Sequence, residues 1–129
     1  MIPKFRAYDS SSYKRMYKPD EVMVGNGDIW IIDEDSCDNE WIVNNDIHLM
    51  QSTNLRDKNN EEIFEGDILD YNGRKVIVKW HGSFACFIYE FVDELKNRTT
   101  EWKPLYLSYY HFEIIGNVYE NPELLEVTE

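Results

Sequence analysis

Phe5 and Ala7 alternate with Lys4, Arg6 and Tyr8, a period of two that predicts a strand over residues 3–8. Residues 9–20 are polar and turn-rich, and Met16-Tyr17 within them predicts a short return strand. Over residues 22–32, two β-rich runs flank Gly25-Asn26-Gly27. Gly and Asn tolerate positive φ, so this segment predicts a hairpin. An acidic, polar loop is expected over 33–40, then a short apolar run at Trp41-Ile42-Val43 and a turn at Asn44-Asn45-Asp46.

The middle of the chain carries stronger signals. Asp57-Lys58-Asn59-Asn60 is a tight-turn sequence. Gly66-Asp67 leads into Ile68-Leu69-Asp70-Tyr71, and Asn72-Gly73 joins that strand to Lys75–Trp80 as a hairpin. Within the second strand Val76 and Val78 face one way, and Lys75, Ile77 and Lys79 the other. His81-Gly82-Ser83 turns the chain again, and residues 84–92 form an aromatic-rich strand. Residues 93–104 read as loop, with a helical turn expected at Glu94 to Lys96, and residues 112–119 as a closing strand. Asn121-Pro122-Glu123-Leu124-Leu125 has the N-cap, N1 proline and first-turn acid of a short helix.

The expected fold is therefore mainly β, a single domain over residues 1–129. A β-hairpin-rich part spans 1–62, a small SH3-like barrel about 63–119, and a short C-terminal helix follows. The barrel is an analogy of pattern and carries no function with it. Four Trp, nine Tyr and six Phe support strands, because rings pack well on a pleated surface. Ala occurs only at Ala7 and Ala85, which argues against a helical bundle.

Three blocks resemble the YopX family of phage and prophage proteins. The first is Lys4-Phe5-Arg6-Ala7-Tyr8-Asp9 with Met16-Tyr17. The second runs from Leu49 to Asn60 and on through Glu62-Ile63-Phe64-Glu65-Gly66-Asp67-Ile68. The third is Ile115-Gly116-Asn117-Val118-Tyr119-Glu120-Asn121-Pro122-Glu123-Leu124-Leu125. Asn54 and Asn60 stand where the family commonly has Gly, and both are read as turn positions that Asn can occupy at positive φ. Tyr8 replaces the usual Trp and Phe64 the usual Tyr, exchanges that keep a ring. The resemblance implies a phage or prophage origin, a β-rich fold and action inside a bacterial host. It implies no particular biochemical activity.

Charge changes the picture of partners. The net charge is −12, unevenly laid out. Residues 1–18 hold five bases (Lys4, Arg6, Lys14, Arg15, Lys18) against Asp9 alone. Residues 19–55 hold nine acids and no base, and residues 104–129 five acids and no base. Nucleic-acid affinity comes mainly from Lys and Arg on phosphates, so the overall balance disfavours it while the N-terminal bases keep it open. With no apolar stretch of signal-peptide or membrane-span length, a cytoplasmic location is expected. Cys37 and Cys86 are expected to be free thiols, a single disulfide being the alternative.

Candidate chemistry is sparse. His48, His81 and His111 lack zinc-helix spacing, and no Cys pair accompanies them. Cys86 lies in a strand-like run and Cys37 in an acidic loop that opposes a thiolate. Counted from Asp33, the acidic loop has Cys37 and Asp38 where an EF-hand needs an oxygen ligand and a Gly. Glu65-Gly66-Asp67 is read as a bend, with Asp bonding the turn, rather than as paired catalytic carboxylates. Trp80, Phe84, Phe87, Tyr89 and Phe91 are read mainly as core, with base stacking as the alternative.

No catalytic residue, metal ligand or cofactor is assigned. The expected role is a non-enzymatic binding module whose partner is a host or phage protein, with no membrane partner. Three alternatives stay open. One is a nucleic-acid-binding accessory protein using Lys4, Arg6, Lys14, Arg15 and Lys18. The others are a small hydrolase with an unrecognised site, and self-association through exposed strand edges.

Overall fold

A computed structural model describes residues 3–11, 14–33, 35, 38, 40–94 and 102–126. The chain is mainly β, with helical structure limited to short 3₁₀ turns among the described residues. It divides into two compact units, Met1–Gln51 and Ser52–Glu129. That division lies inside a strand, earlier in the chain than the 62/63 boundary read from the sequence.

In the first unit, β1 (Phe5–Asp9) pairs antiparallel with β2 (Arg15–Tyr17), so the return strand expected at Met16-Tyr17 is present. A three-stranded sheet follows: β3 (Val22–Gly25), β4 (Asp28–Ile32) and β5 (Trp41–Val43), in that order. The β3–β4 turn has Asn26 at φ 54° and Gly27 at φ 79°, the doubly left-handed geometry that Asn-Gly supplies. The next strand, β6 (His48–Arg56), pairs through His48–Gln51 with β1. Ala7, Tyr17, Val22, Ile31 and Ile47 are buried between these sheets, with Phe5, Ile29 and Leu49 packed against them.

In the second unit, the remainder of β6 pairs with β7 (Glu62–Phe64). The register shifts between Ser52 and Arg56, and Asn54 sits in that irregularity at φ 62°. Asn54 is thus a bulge residue rather than a turn residue, while Asn60 does lie in a turn, at φ 66°. Both positions need the left-handed backbone that Asn adopts more readily than other side chains.

Strands β8 (Asp67–Tyr71), β9 (Arg74–His81), β10 (Cys86–Phe91) and β11 (Trp102–Pro104) form an antiparallel meander. The last strand, β12 (Glu113–Asn117), returns beside β8, giving the order β11-β10-β9-β8-β12. β11 falls in a stretch read from sequence as loop, because three residues ending in Pro carry little strand signal. A 3₁₀ turn occupies Val92–Glu94, and the helical turn expected at Glu94 to Lys96 falls mostly outside the described residues.

One side of this sheet carries the larger core: Ile63, Leu69, Val76, Val78, Tyr89, Phe91, Leu105 and Phe112. The other side is covered too. Ile77, on the face the sequence paired with Lys75 and Lys79, is buried with Ile68 and Val92 beneath Val118, Leu124 and Leu125. Leu124 and Leu125 come from the segment predicted as a helix, which is a single 3₁₀ turn, Pro122–Leu125. Asn121 makes no side-chain cap there; its Oδ1 accepts the Asn117 N–H at 3.2 Å, which ties the turn back to β12.

The β9–β10 turn contains the one alanine in a left-handed conformation among the described residues, Ala85 at φ 49°. The Cβ atom disfavours that region by about 1–2 kcal/mol, partly offset by the greater unfolded-state entropy of Gly. Ala85→Gly is expected to stabilise the protein by about 0.5–1 kcal/mol. A raised urea midpoint with unchanged slope would show it.

Candidate functional site

The sheet β3-β4-β5 is apolar on both faces. Side chains alternate along each strand, and the register aligns Val22, Ile31 and Ile42 on one face. Val22 and Ile31 on that face are buried in the core of the first unit. The same register places Met23, Trp30 and Val43 in a row across the opposite face, with Ile32 beside Trp41 in the next row. A half-buried antiparallel sheet would ordinarily turn polar residues to this side. Here Met23 is 45% and Val43 44% exposed. The Trp30 indole is anchored by its Nε1–H on the Gly25 carbonyl at 3.3 Å. Met23, Gly25, Asn26, Trp30 and Trp41 line a groove of about 320 Å³.

Carboxylates lie beside this sheet. A second cavity, about 240 Å³, is lined by Asp9, Asp33 and Asp35 together with Tyr17, Ile31, Ile32, Ile42 and Asn44. Asp9 Oδ1 accepts the backbone N–H of Ser11 at 2.8 Å and also its hydroxyl. Asp33 Oδ1 accepts the Asp35 N–H at 3.0 Å. At the far end Asn45 Oδ1 accepts the Ile29 N–H at 2.9 Å, and its amide donates to Asp28 at 2.9 Å. These local bonds hold the acids in place on turns around an apolar sheet.

The second unit carries a separate aromatic surface. The rings of His81, Phe84 and Trp102 lie 4.7–5.0 Å apart, centroid to centroid. His81 Nδ1 is buried and has no hydrogen-bond partner among the described residues. Trp80 packs edge-on against Phe87 at 5.0 Å, beside a groove of about 280 Å³ lined also by Thr53, Leu55, Ala85, Cys86 and Tyr106. The five rings read mainly as core therefore divide. Tyr89 and Phe91 are buried and Phe87 is partly buried, while Trp80 and Phe84 are exposed.

The residues singled out from the sequence are not brought together into one site. Lys4, Lys14 and Lys18 are exposed. Arg6 stands opposite Met50 and Arg15 opposite Asp9, so the two arginines project from opposite faces of the β1–β2 pair. Arg15 is also paired with Glu21 and lies over the Tyr17 ring at 4.5 Å. His48 Nε2 is 3.0 Å from the Ser10 hydroxyl, and His111 packs against Tyr110 at 4.2 Å. Cys86 is a free, half-buried thiol, and Cys37 lies outside the described residues. Among the described residues, no group of three or more His, Cys, Asp or Glu is placed to hold a metal ion.

Asp67 is buried and its Oδ2 accepts the Phe64 N–H at 2.7 Å across Gly66, which has φ 88°. The Glu65-Gly66-Asp67 bend is thus built as the sequence suggested. The outer row of Met23, Trp30 and Val43 was not singled out from the sequence. Its available signal was that both parities of the 22–32 and 41–43 runs are apolar, where a one-sided strand would alternate.

The family model described as YopX protein matches residues 4–126. The chain belongs to the YopX family. This YopX chain is also similar to a crystal structure of protein EF1440 from Enterococcus faecalis, at 30% identity and a TM-score of 0.61. The likeness covers 98% of this chain and 99% of that one. No curated protein matches the YopX chain. No helix among the described residues is long and apolar enough to cross a membrane.

Proposed function

We propose that this YopX-family chain is a non-enzymatic binding module of phage or prophage type. It acts through protein–protein contacts in the bacterial cytoplasm and receives a basic partner on the outer face of β3-β4-β5. The observation that carries this reading is the Met23–Trp30–Val43 row, an apolar sheet face left exposed in a segment with nine acids and no base. Exposed apolar patches rimmed by polar groups mark interaction sites, and an acidic rim speeds and selects basic partners. The second unit, read as an SH3-like barrel opened between β11 and β12, serves as a scaffold in this proposal.

The test is affinity capture from host lysate, with and without nuclease, using the wild-type chain and Met23→Glu. A charge at the β3 end of the row is expected to reduce recovery of a nuclease-resistant protein about tenfold or more. The recovery is also expected to fall as salt rises. Unchanged capture by Met23→Glu, with the variant folded by circular dichroism, would overturn the reading. Enrichment that disappears with nuclease would move the search to Lys4, Arg6, Lys14, Arg15 and Lys18.

A further inference from the structure

The outer face of β3-β4-β5 ends at a strand edge whose hydrogen-bonding phase can be read from its neighbours. Asp33 donates its N–H to the Glu40 carbonyl at 2.7 Å, and Asn44 donates to Ile29 at 2.8 Å. Both pairs continue the register that sets Ile31 opposite Ile42. In an antiparallel ladder, hydrogen-bonded pairs alternate with non-bonded ones. Ile42 therefore directs its N–H and C=O at β4, and Trp41 and Val43 direct theirs away from it. Among the described residues β5 is the last strand of its sheet, so those four groups face its open edge.

Edges of this kind are normally blunted by Lys, Pro, a bulge or a covering segment. β5 is Trp-Ile-Val, exposed at all three residues, with no charge and no proline. We propose that this edge takes up an extended basic segment of a partner protein as an added antiparallel strand. The proposal rests on the protein-binding reading above and names the form its partner takes.

Charge selects the occupant. A second copy pairing β5 to β5 would bring residues 19–55, with nine acids and no base, against themselves. A Lys- or Arg-bearing strand meets the opposite situation. Its residue opposite Ile42 lies on the inner face, where Asp9, Asp33 and Asp35 line the 240 Å³ cavity beside Ile42. Its residues opposite Trp41 and Val43 lie on the outer face, continuing the apolar rows formed by Ile32–Trp41 and Met23–Trp30–Val43. The pattern recognised is therefore apolar–basic–apolar in extended form, with main-chain bonds giving affinity and alternate side chains giving selectivity.

The probe is acetyl-Val-Lys-Val-Lys-Val-amide added to the full chain, read by amide hydrogen exchange and tryptophan fluorescence. Slowed exchange at the Trp41 and Val43 amides is expected. N-methylation of the peptide backbone should weaken binding about tenfold or more, since each lost hydrogen bond is felt directly. The Glu counterpart of the peptide should not bind. Val43→Pro removes an edge donor that β4 does not use, and should weaken binding comparably.

Equal binding of the N-methylated peptide, with unchanged exchange at both amides, would overturn strand addition whether or not Val43→Pro folds. If Met23→Glu still lost the lysate partner in that case, docking on the face would stand alone. Capture insensitive to Met23→Glu would instead remove the binding reading itself. A dimer in sedimentation that Val43→Pro splits would overturn the basic partner in favour of a second copy.

Discussion

Asp57→Ala is expected to lower stability by about 3 kcal/mol or more. Asp57 is nearly buried and both of its carboxylate oxygens are used. Oδ1 accepts the N–H groups of Asn59 and Glu61, each at 2.9 Å, which closes the turn before β7. Oδ2 accepts the Ile114 N–H at 2.9 Å, which fastens that turn to β12. The adjacent Lys58 N–H donates to the Phe112 carbonyl at 2.9 Å. Bonds from backbone donors to a charged acceptor are worth more than neutral ones, and truncation removes three of them at once. Urea unfolding would show a lower midpoint at unchanged slope. Asp57→Asn keeps one acceptor oxygen and should lose roughly half as much. If the two variants were equally stable, Asp57 would not be the fastening described.

Gly116→Ala is expected to cost about 2 kcal/mol, through crowding rather than a lost bond. A Cβ at this position would lie 2.7 Å from Asn121 Oδ1, 2.8 Å from its Cγ and 2.8 Å from Leu124 Cδ1. Leu124 can swing its terminal methyl aside. Asn121 is less free, because its Oδ1 is the acceptor for the Asn117 N–H. Gly116 lies at the register shift of β12, directly against Asn121 and Leu124 of the Pro122–Leu125 turn region. Relief should therefore come from the partner side. Asn121→Ala is expected to recover part of the loss when combined with Gly116→Ala, a non-additivity that a double-mutant cycle would measure. Full additivity would mean that the two residues do not collide.

Turn chemistry made much of the fold legible. Asn26-Gly27, Asn72-Gly73 and Gly66 all adopt positive φ, because few other residues reach that region cheaply. Alternation set Val76 and Val78 on one face of their strand, and that face carries the larger core. It set Ile77 on the opposite face, as observed, but the burial of that face depends on Leu124 and Leu125 from the chain's far end, a pairing that no local pattern encodes. The N-cap and N1 residues of the C-terminal segment suggested a helix, but Asn121 bonds back to β12 and only a 3₁₀ turn forms. The candidate site was harder to read. Trp41-Ile42-Val43 has the composition of an interior strand, and only the sheet order reveals that it is an edge. Charge was legible as a tally, while its position beside that edge needed the cavity holding Asp9, Asp33 and Asp35.

The uncharged edge at β5 also has a colloidal side. An unguarded apolar strand is a template on which copies of a protein can stack. Here the guard is placed off the strand, in a net charge of −12 that keeps molecules apart at a distance. Such a guard works over the screening length and no further, so it weakens in concentrated salt and as the carboxylates take up protons. Shelf life in solution is therefore expected to shorten in concentrated salt or in acid, through a three-residue strand that carries no charge of its own.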